Sequence, residues 1–152
     1  ILEIGTFNAQ NAFLLSVLFQ NAQVTTVDLP NDSDDYKNTY KRDEKTKLKA
    51  FLEERSNRIN KRENLKLIEK SSVNLINFEN KFDLIWVDGA HFDPIVTMDI
   101  INSINLLNDE GLILCDDIRK SENNATWRVI NTLKKEGIID YSLIECNSQK
   151  MI

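Results

Sequence analysis

An open α/β domain, with a doubly wound, mostly parallel sheet and helices on both faces, is the fold class this sequence predicts. Three observations carry it. Short apolar runs alternate with segments of helical period along the chain. The runs are nearly continuous in apolar residues, as in strands covered on both faces. A strand–helix–strand order throughout requires right-handed crossovers between parallel strands.

Strands are expected at residues 1–5, 24–28, 65–69, 82–88, 112–116 and 138–146, each bounded by polar residues. Residues 11–19 are apolar nearly all round, as expected of a helix packed tightly on a sheet. Residues 45–59 place Leu48, Phe51, Leu52, Arg55 and Ile59 on one stripe, with charge elsewhere. Asp93-Pro94 reads as an N-cap followed by proline at the first helical position, opening a helix over 95–107. Residues 125–136 carry Trp127, Ile130 and Leu133 at helical spacing, and Gly137 is placed to end that helix. The irregular stretch 30–43 reads as a loop or lid. The whole, 1–152, is then one domain with a charged helical or lid insertion at about 30–64. Ile1-Leu2-Glu3-Ile4-Gly5 reads as a strand already under way, which predicts a preceding segment. Nothing after Cys146 is long enough to complete a hairpin arm for the last strand.

Composition narrows the function classes. The chain is 41% hydrophobic and 28% charged, with four Gly and two Pro, as in an ordinary globular protein. No apolar run approaches the ~20 residues that cross a bilayer. Cys115 and Cys146 lie in apolar stretches and read as buried free thiols rather than a disulfide or metal pair, which predicts a cytoplasmic home. The Asn31-Asp32-Ser33 and Asn124-Ala125-Thr126 sequons then read as chance matches. Net charge is −5, yet residues 37–66 hold eleven Lys/Arg against five Asp/Glu, a local +6 that leaves −11 elsewhere. Such asymmetry can mark a surface for anionic partners, but its helical spacing favours a solvated helix face.

Ligands of open α/β sheets bind beyond the carboxyl ends of the strands. Gly5 permits a tight turn after the first strand, and the next helix N-terminus offers free N–H groups to an anion. Asp28 ends the second strand about twenty residues on, where a carboxylate can accept two ribose hydroxyls. The fourth strand runs into Asp88-Gly89-Ala90-His91 and the fifth into Asp116-Asp117. Neighbouring strands would bring three carboxylates and the chain's one histidine to a single rim. Mutually repelling carboxylates of this kind suit Mg²⁺ or another hard cation. The alternative is that Asp117 caps the next segment while His91 or a water links Asp88 and Asp116.

Taken in order, Glu3-Ile4-Gly5-Thr6-Phe7, Asp28, Phe82-Asp83-Leu84-Ile85-Trp86-Val87-Asp88-Gly89-Ala90-His91 and Gly111-Leu112-Ile113-Leu114-Cys115-Asp116-Asp117-Ile118 resemble the successive motifs of class I S-adenosylmethionine-dependent methyltransferases. The branch most resembled is the small-molecule O-methyltransferase-like one, with Asp-Gly-x-His after the fourth strand. The resemblance spans nearly the whole chain except 30–64. It implies a Rossmann-like sheet of the methyltransferase type. Glu3 and Gly5 would frame the methionine moiety of S-adenosylmethionine, with Thr6 and Phe7 adding contacts. Asp28 would bind the ribose, Ser71 and Ser72 would meet the adenine, and Asp88 would sit beside the sulfonium. In cation-dependent relatives, positions matching Asp88, Asp116 and Asp117 hold a divalent metal such as Mg²⁺. Two departures stand out. Phe7-Asn8-Ala9 replaces the family's second glycine, and Lys70 replaces the acidic residue that usually follows the third strand.

The reading that follows is O-methylation of a small hydroxylated acceptor. A bound metal, or a base such as His91 or Asp116, would take the hydroxyl proton, with Asp88 beside the transferred methyl. Two alternatives stay in view: a nucleic-acid methyltransferase using the basic 37–66 segment, and a catalytically silent methyltransferase-like binding domain. Asp-Gly-Ala-His differs from the Asn/Asp-Pro-Pro-aromatic loop of exocyclic-amine DNA enzymes, and there is no G-x-G-x-x-G loop of a nicotinamide dehydrogenase. The expected partners are a small-molecule acceptor and, beyond it, only a second copy of the chain, with neither nucleic acid nor a membrane.

Overall fold

The computed structural model describes residues 1–40 and 45–144. Among these, five parallel strands form one sheet in the order β3-β2-β1-β4-β5: β1 Leu2–Ile4, β2 Val24–Asp28, β3 Leu65–Glu69, β4 Phe82–Val87 and β5 Leu107–Cys115. The helices are α1 Gln10–Leu18, α2 Asp34–Tyr40, α3 Lys45–Asn60, α4 Ile95–Leu106 and α5 Ala125–Lys135, with a 3₁₀ segment at Ser72–Asn77. The expected α/β architecture is present. Among the described residues no helix is long and apolar enough to cross a membrane.

Alternation along β1 divides the two faces. Leu2 and Ile4 point into a core with Val27, Leu75, Ile85, Val87 and Leu106, contributed by the strands, the 3₁₀ segment and the end of α4. Each such side chain, fully buried, contributes roughly 1.5–3 kcal/mol. Glu3 points to the opposite face, where Ala12 and Leu15 of α1 pack on Val24 and Leu65. Helices thus cover both faces, and β1 sits centrally with its carboxyl end between those of β2 and β4.

Several elements differ from expectation. Residues 138–144 form no strand; Ile139 and Tyr141 instead fold back on the α4–α5 cluster, where the Tyr141 ring meets Trp127 edge-on at 6.0 Å. Glu145 and Cys146 lie outside the described residues. The stretch expected as a loop over 30–43 contains α2, whose first turn is capped by the Ser33 hydroxyl accepting from the Tyr36 amide at 3.1 Å. β5 begins five residues earlier than expected, because its register against β4 jumps from Phe82–Leu107 to Leu84–Leu112 and the polar run Asn108-Asp109-Glu110 is taken up as a bulge. The α4 cap is Pro94 rather than Asp93, since the Asp93 carboxylate is taken by the Thr97 hydroxyl and Arg128. Helix α1 is covered on one side only, and Leu14, Leu18 and Phe19 remain exposed.

Candidate active site

The first loop is built by three left-handed residues in five, Gly5 (φ 98°), Phe7 (φ 46°) and Ala9 (φ 60°). Gly5 has no alternative: a Cβ there would lie 2.1 Å from the Asp88 carbonyl oxygen. Ala9 takes the conformation for which the family's missing glycine is suited, with Asn8 beside it unstrained. Beneath the loop runs a dry polar chain. The Thr6 and Thr26 hydroxyls lie 2.6 Å apart, Thr26 donates to Glu3 Oε2, and the Asn11 amide donates to Glu3 Oε1 at 2.9 Å. Burial pushes the Glu3 carboxyl up to about 7, against the pull of these hydrogen bonds. Glu3 therefore supports the loop from below and does not face the cleft, as do Thr6 and Thr26, all three buried.

Above the carboxyl ends of β1, β2 and β4 opens a cleft of about 470 Å³, lined by Gly5, Asp28, Ser71, Ser72 and His91 among others. Five residues expected at the ligand from widely separated motifs thus share one concavity. Asp28 is held by the Leu29 amide on Oδ1 at 2.8 Å and the Phe7 amide on Oδ2 at 3.1 Å. The Phe7 ring leans outward onto Phe51 of α3, centroids 5.3 Å apart, so this residue meets the site through its backbone. Asp35 and Asn38 of α2 close the outer wall.

At the β4–β5 end, Nε2 of His91 lies 3.8 Å from Asp88 Oδ1 and 3.7 Å from Asp117 Oδ2. Burial, and after it the Asp116 carboxylate, push the Asp88 carboxyl up to about 6, while His91 pulls the other way. Asp116 Oδ1 accepts from the Asp117 amide at 2.8 Å, and Asp117 takes a left-handed backbone (φ 52°). The expected metal triad is not assembled. Among the described residues no three acidic, histidine or cysteine side chains converge as a metal ion requires. The imidazole lies between Asp88 and Asp117 instead, and Asp117 caps no helix; its carbonyl accepts from Asn124, whose Oδ1 caps α5. His91 also lines a second, polar recess of about 340 Å³ with Asp117, Arg119, Ser121, Asn123 and Asn124. One side chain therefore borders both cavities.

Two buried ionisable side chains escaped the sequence reading, one beside the exit of β4 and one at the ends of β2 and β3. Asp99 of α4 lies under Gly89, where a Cβ would be 3.0 Å from its Oδ2. Its oxygens find no hydrogen bond of good geometry, and burial raises its carboxyl, tempered by the Ser72 side chain and the Ala90 amide. A single acid among Val96, Ile100 and Ser103 was the available signal. Arg55 of α3 is 1% exposed, with Nη2 3.1 Å from Glu69 Oε1 and Nη1 3.6 Å from Asp28 Oδ2. Its place on the apolar stripe was visible; its reach to two strand ends was not. The helix expected as a solvated basic face also turns Arg58 inward, to the Asn8 carbonyl at 2.9 Å, and Arg62 just beyond it reaches the Ser16 carbonyl at 2.8 Å.

A parallel sheet with glycine at the first turn, an acid ending the second strand and a ligand-sized cleft over the strand ends defines a Rossmann-like fold of the methyltransferase type. The family model Methyltransf_24, a methyltransferase domain, matches residues 2–118, and the chain belongs to that family. S-adenosylmethionine is the cofactor the family implies. Solved structures of the same fold include a precorrin-6y C5,15-methyltransferase of Geobacter metallireducens (TM-score 0.57, 17% identity, covering 90% of this chain and 60% of that one). They also include an S-adenosylhomocysteine-bound methyltransferase of Podospora anserina (TM-score 0.57, 22% identity, 91% and 62%). A third is a TDP-rhamnose 3′-O-methyltransferase of calicheamicin biosynthesis (TM-score 0.53, 13% identity, 100% and 68%). The chain thus spans about 60% of the first of these enzymes. No curated protein sequence matches it.

Proposed function

We propose that this chain carries the catalytic core of an S-adenosylmethionine-dependent O-methyltransferase acting on a small hydroxylated molecule, with His91 as general base. The observation that carries the reading is the position of His91, shared by the cleft over β1 and β2 and the polar recess beside Asp117. In this reading Asp28 would hold the ribose of S-adenosylmethionine, and Ser71 and Ser72 would meet its adenine. The acceptor would occupy the recess, with its hydroxyl reaching past the edge of His91 into the cleft. The sulfonium supplies an activated methyl, so the protein's part is alignment and removal of one proton.

Nε2 of His91 takes that proton as the oxygen attacks, and Asp88 and Asp117 on either side stabilise the imidazolium that forms. Asp116, whose Oδ1 accepts from the Asp117 amide, helps set that corner, and its charge adds to the burial that raises the Asp88 carboxyl. No step is assigned to Mg²⁺, because the three carboxylates do not present a shared face to a cation. Arg55, Arg58 and Arg62, three of the basic residues of the 37–66 segment, are engaged within the chain, which supports the small-molecule reading over a nucleic-acid one.

Calorimetry with S-adenosylhomocysteine tests the donor site. Wild type should bind, and Asp28→Ala should bind about tenfold or more weakly, as expected for hydrogen bonds to a charged group. Equal affinity would remove Asp28 from the site. Release of S-adenosylhomocysteine against a panel of sugars and phenols tests the acceptor. Turnover with a duplex or single-stranded oligonucleotide, steeply weakened by salt, would favour the other substrate class.

A further inference from the structure

Arg55 brings a full positive charge from α3 into the ends of two strands. Its guanidinium lies between Asp28, which ends β2, and Glu69, which ends β3 on the neighbouring register position. It also donates to the Tyr36 hydroxyl at 3.4 Å and to Asn31, and stands 5.6 Å from the centre of the Tyr36 ring. Arg55 and Tyr36 are 1% and 0% exposed. So complete a burial is unusual for arginine and is sustained only by paired charges and hydrogen bonds.

Two carboxylates at adjacent strand ends repel each other, and a buried one favours its protonated form unless a cation compensates. Ribose hydroxyls are neutral and cannot provide that compensation. An ionised carboxylate accepts about four hydrogen bonds, and Asp28 already receives the Leu29 and Phe7 amides. Acceptance of a diol by this carboxylate depends on its staying charged and keeping its rotation. The same guanidinium holds Tyr36, and so seats α2, whose Asp35 and Asn38 form the outer wall of the cleft.

Resting on the cofactor reading above, we infer that Arg55 is a positioning residue for the nucleoside: it holds Asp28 charged and oriented for the ribose diol and fixes α2 as the wall of the cleft. The inserted helical segment is then part of the cofactor site rather than a cover over it.

The test compares S-adenosylhomocysteine with its 2′-deoxy analogue by calorimetry, in wild type, Arg55→Lys and Arg55→Gln. A residue acting through Asp28 changes the preference for the ribose hydroxyl, which a merely structural residue leaves alone. Arg55→Gln should weaken S-adenosylhomocysteine about tenfold or more and bring the two ligands close to equal affinity. Arg55→Lys, keeping the charge, should retain most of the preference. If Arg55→Gln fails to fold, Tyr36→Phe removes one partner while keeping the packing and should narrow the preference about twofold. A wild-type preference in folded Arg55→Gln, or in Tyr36→Phe where the glutamine variant does not fold, overturns the inference and leaves the cofactor reading standing. Absence of S-adenosylhomocysteine binding by wild type overturns both.

Discussion

The β1–β2 rim and the β4–β5 rim are made from the same kinds of residue and are organised in opposite ways. On the first, Glu3, Thr6, Thr26 and Asp28 are all buried and joined to one another or to backbone amides. On the second, Asp88, His91 and Asp117 are partly or largely exposed and stand 3.7–3.8 Å apart, beyond hydrogen-bond length. The first rim has its geometry before any ligand arrives. The second leaves its polar groups free to engage one. In the proposed reading the donor lies on the first rim, where preorganisation suits it, and the proton-accepting group on the second, where looser packing suits it.

The difference can be broken most severely at Gly5. Gly5→Ala places a methyl inside the contact with Asp88 at a left-handed backbone position, and should cost on the order of 3 kcal/mol or prevent folding. Chemical denaturation measures this, and a variant within ~1 kcal/mol of wild type would mean that the loops can separate. The second rim should answer in rate rather than stability. His91→Gln should lower methyl transfer by about 10²–10⁴-fold while S-adenosylhomocysteine affinity and melting temperature hold. Unchanged turnover would pass the proton-accepting role to Asp88 or Asp116.

A pH experiment sharpens the comparison. The Glu3 carboxyl is raised on folding, from 4.5 to about 7, so its contribution to stability is complete below pH 4.5 and is lost as pH climbs through 7. Over that window wild type should lose roughly 3 kcal/mol relative to Glu3→Gln, whose amide keeps the shape without the ionisation. A difference between the two proteins that stays flat with pH would show that Glu3 does not titrate there. The smallest effect belongs to Ala9→Gly, where relief of left-handed strain opposes loss of a buried methyl. Stability should change by less than about 1 kcal/mol, and a larger loss would mean that packing of that methyl outweighs the strain.

How much of this was legible in the sequence depends on the range of the interaction concerned. Strands β2 and β3 match the expected bounds because each is a short run of β-branched or aliphatic residues, broken only by Lys66 in β3, and ended by an acidic residue. Gly5, Asp28, Ser71, Ser72 and His91 could be placed at one rim because strand ends in a parallel sheet meet by topology alone. The failures are long-range or directional. Residues 138–146 have strand-like composition, yet 138–144 form no strand, and Ile139 and Tyr141 pack on the α4–α5 cluster instead. Arg55 looked like one more charge on a basic helix, and only folding brings it to Glu69 and Asp28. The metal triad was inferred from carboxylates close in register, while side-chain direction at Asp117 is set by a left-handed backbone that residue spacing does not reveal.

The contact between Gly5 and the Asp88 carbonyl has a mechanical consequence. An extra methyl would sit 2.1 Å from that oxygen, so the turn after β1 and the exit of β4 share a hinge with no play in it. Lateral backbone bonds lock the same corner, with the Asp88 amide donating to the Ile4 carbonyl at 2.9 Å and the Gly5 amide to the Val27 carbonyl at 2.9 Å. A displacement of either loop must be transmitted to the other as a rigid push. The Asp28 end of the cleft and the histidine that borders it are kept in alignment by an atom that is missing.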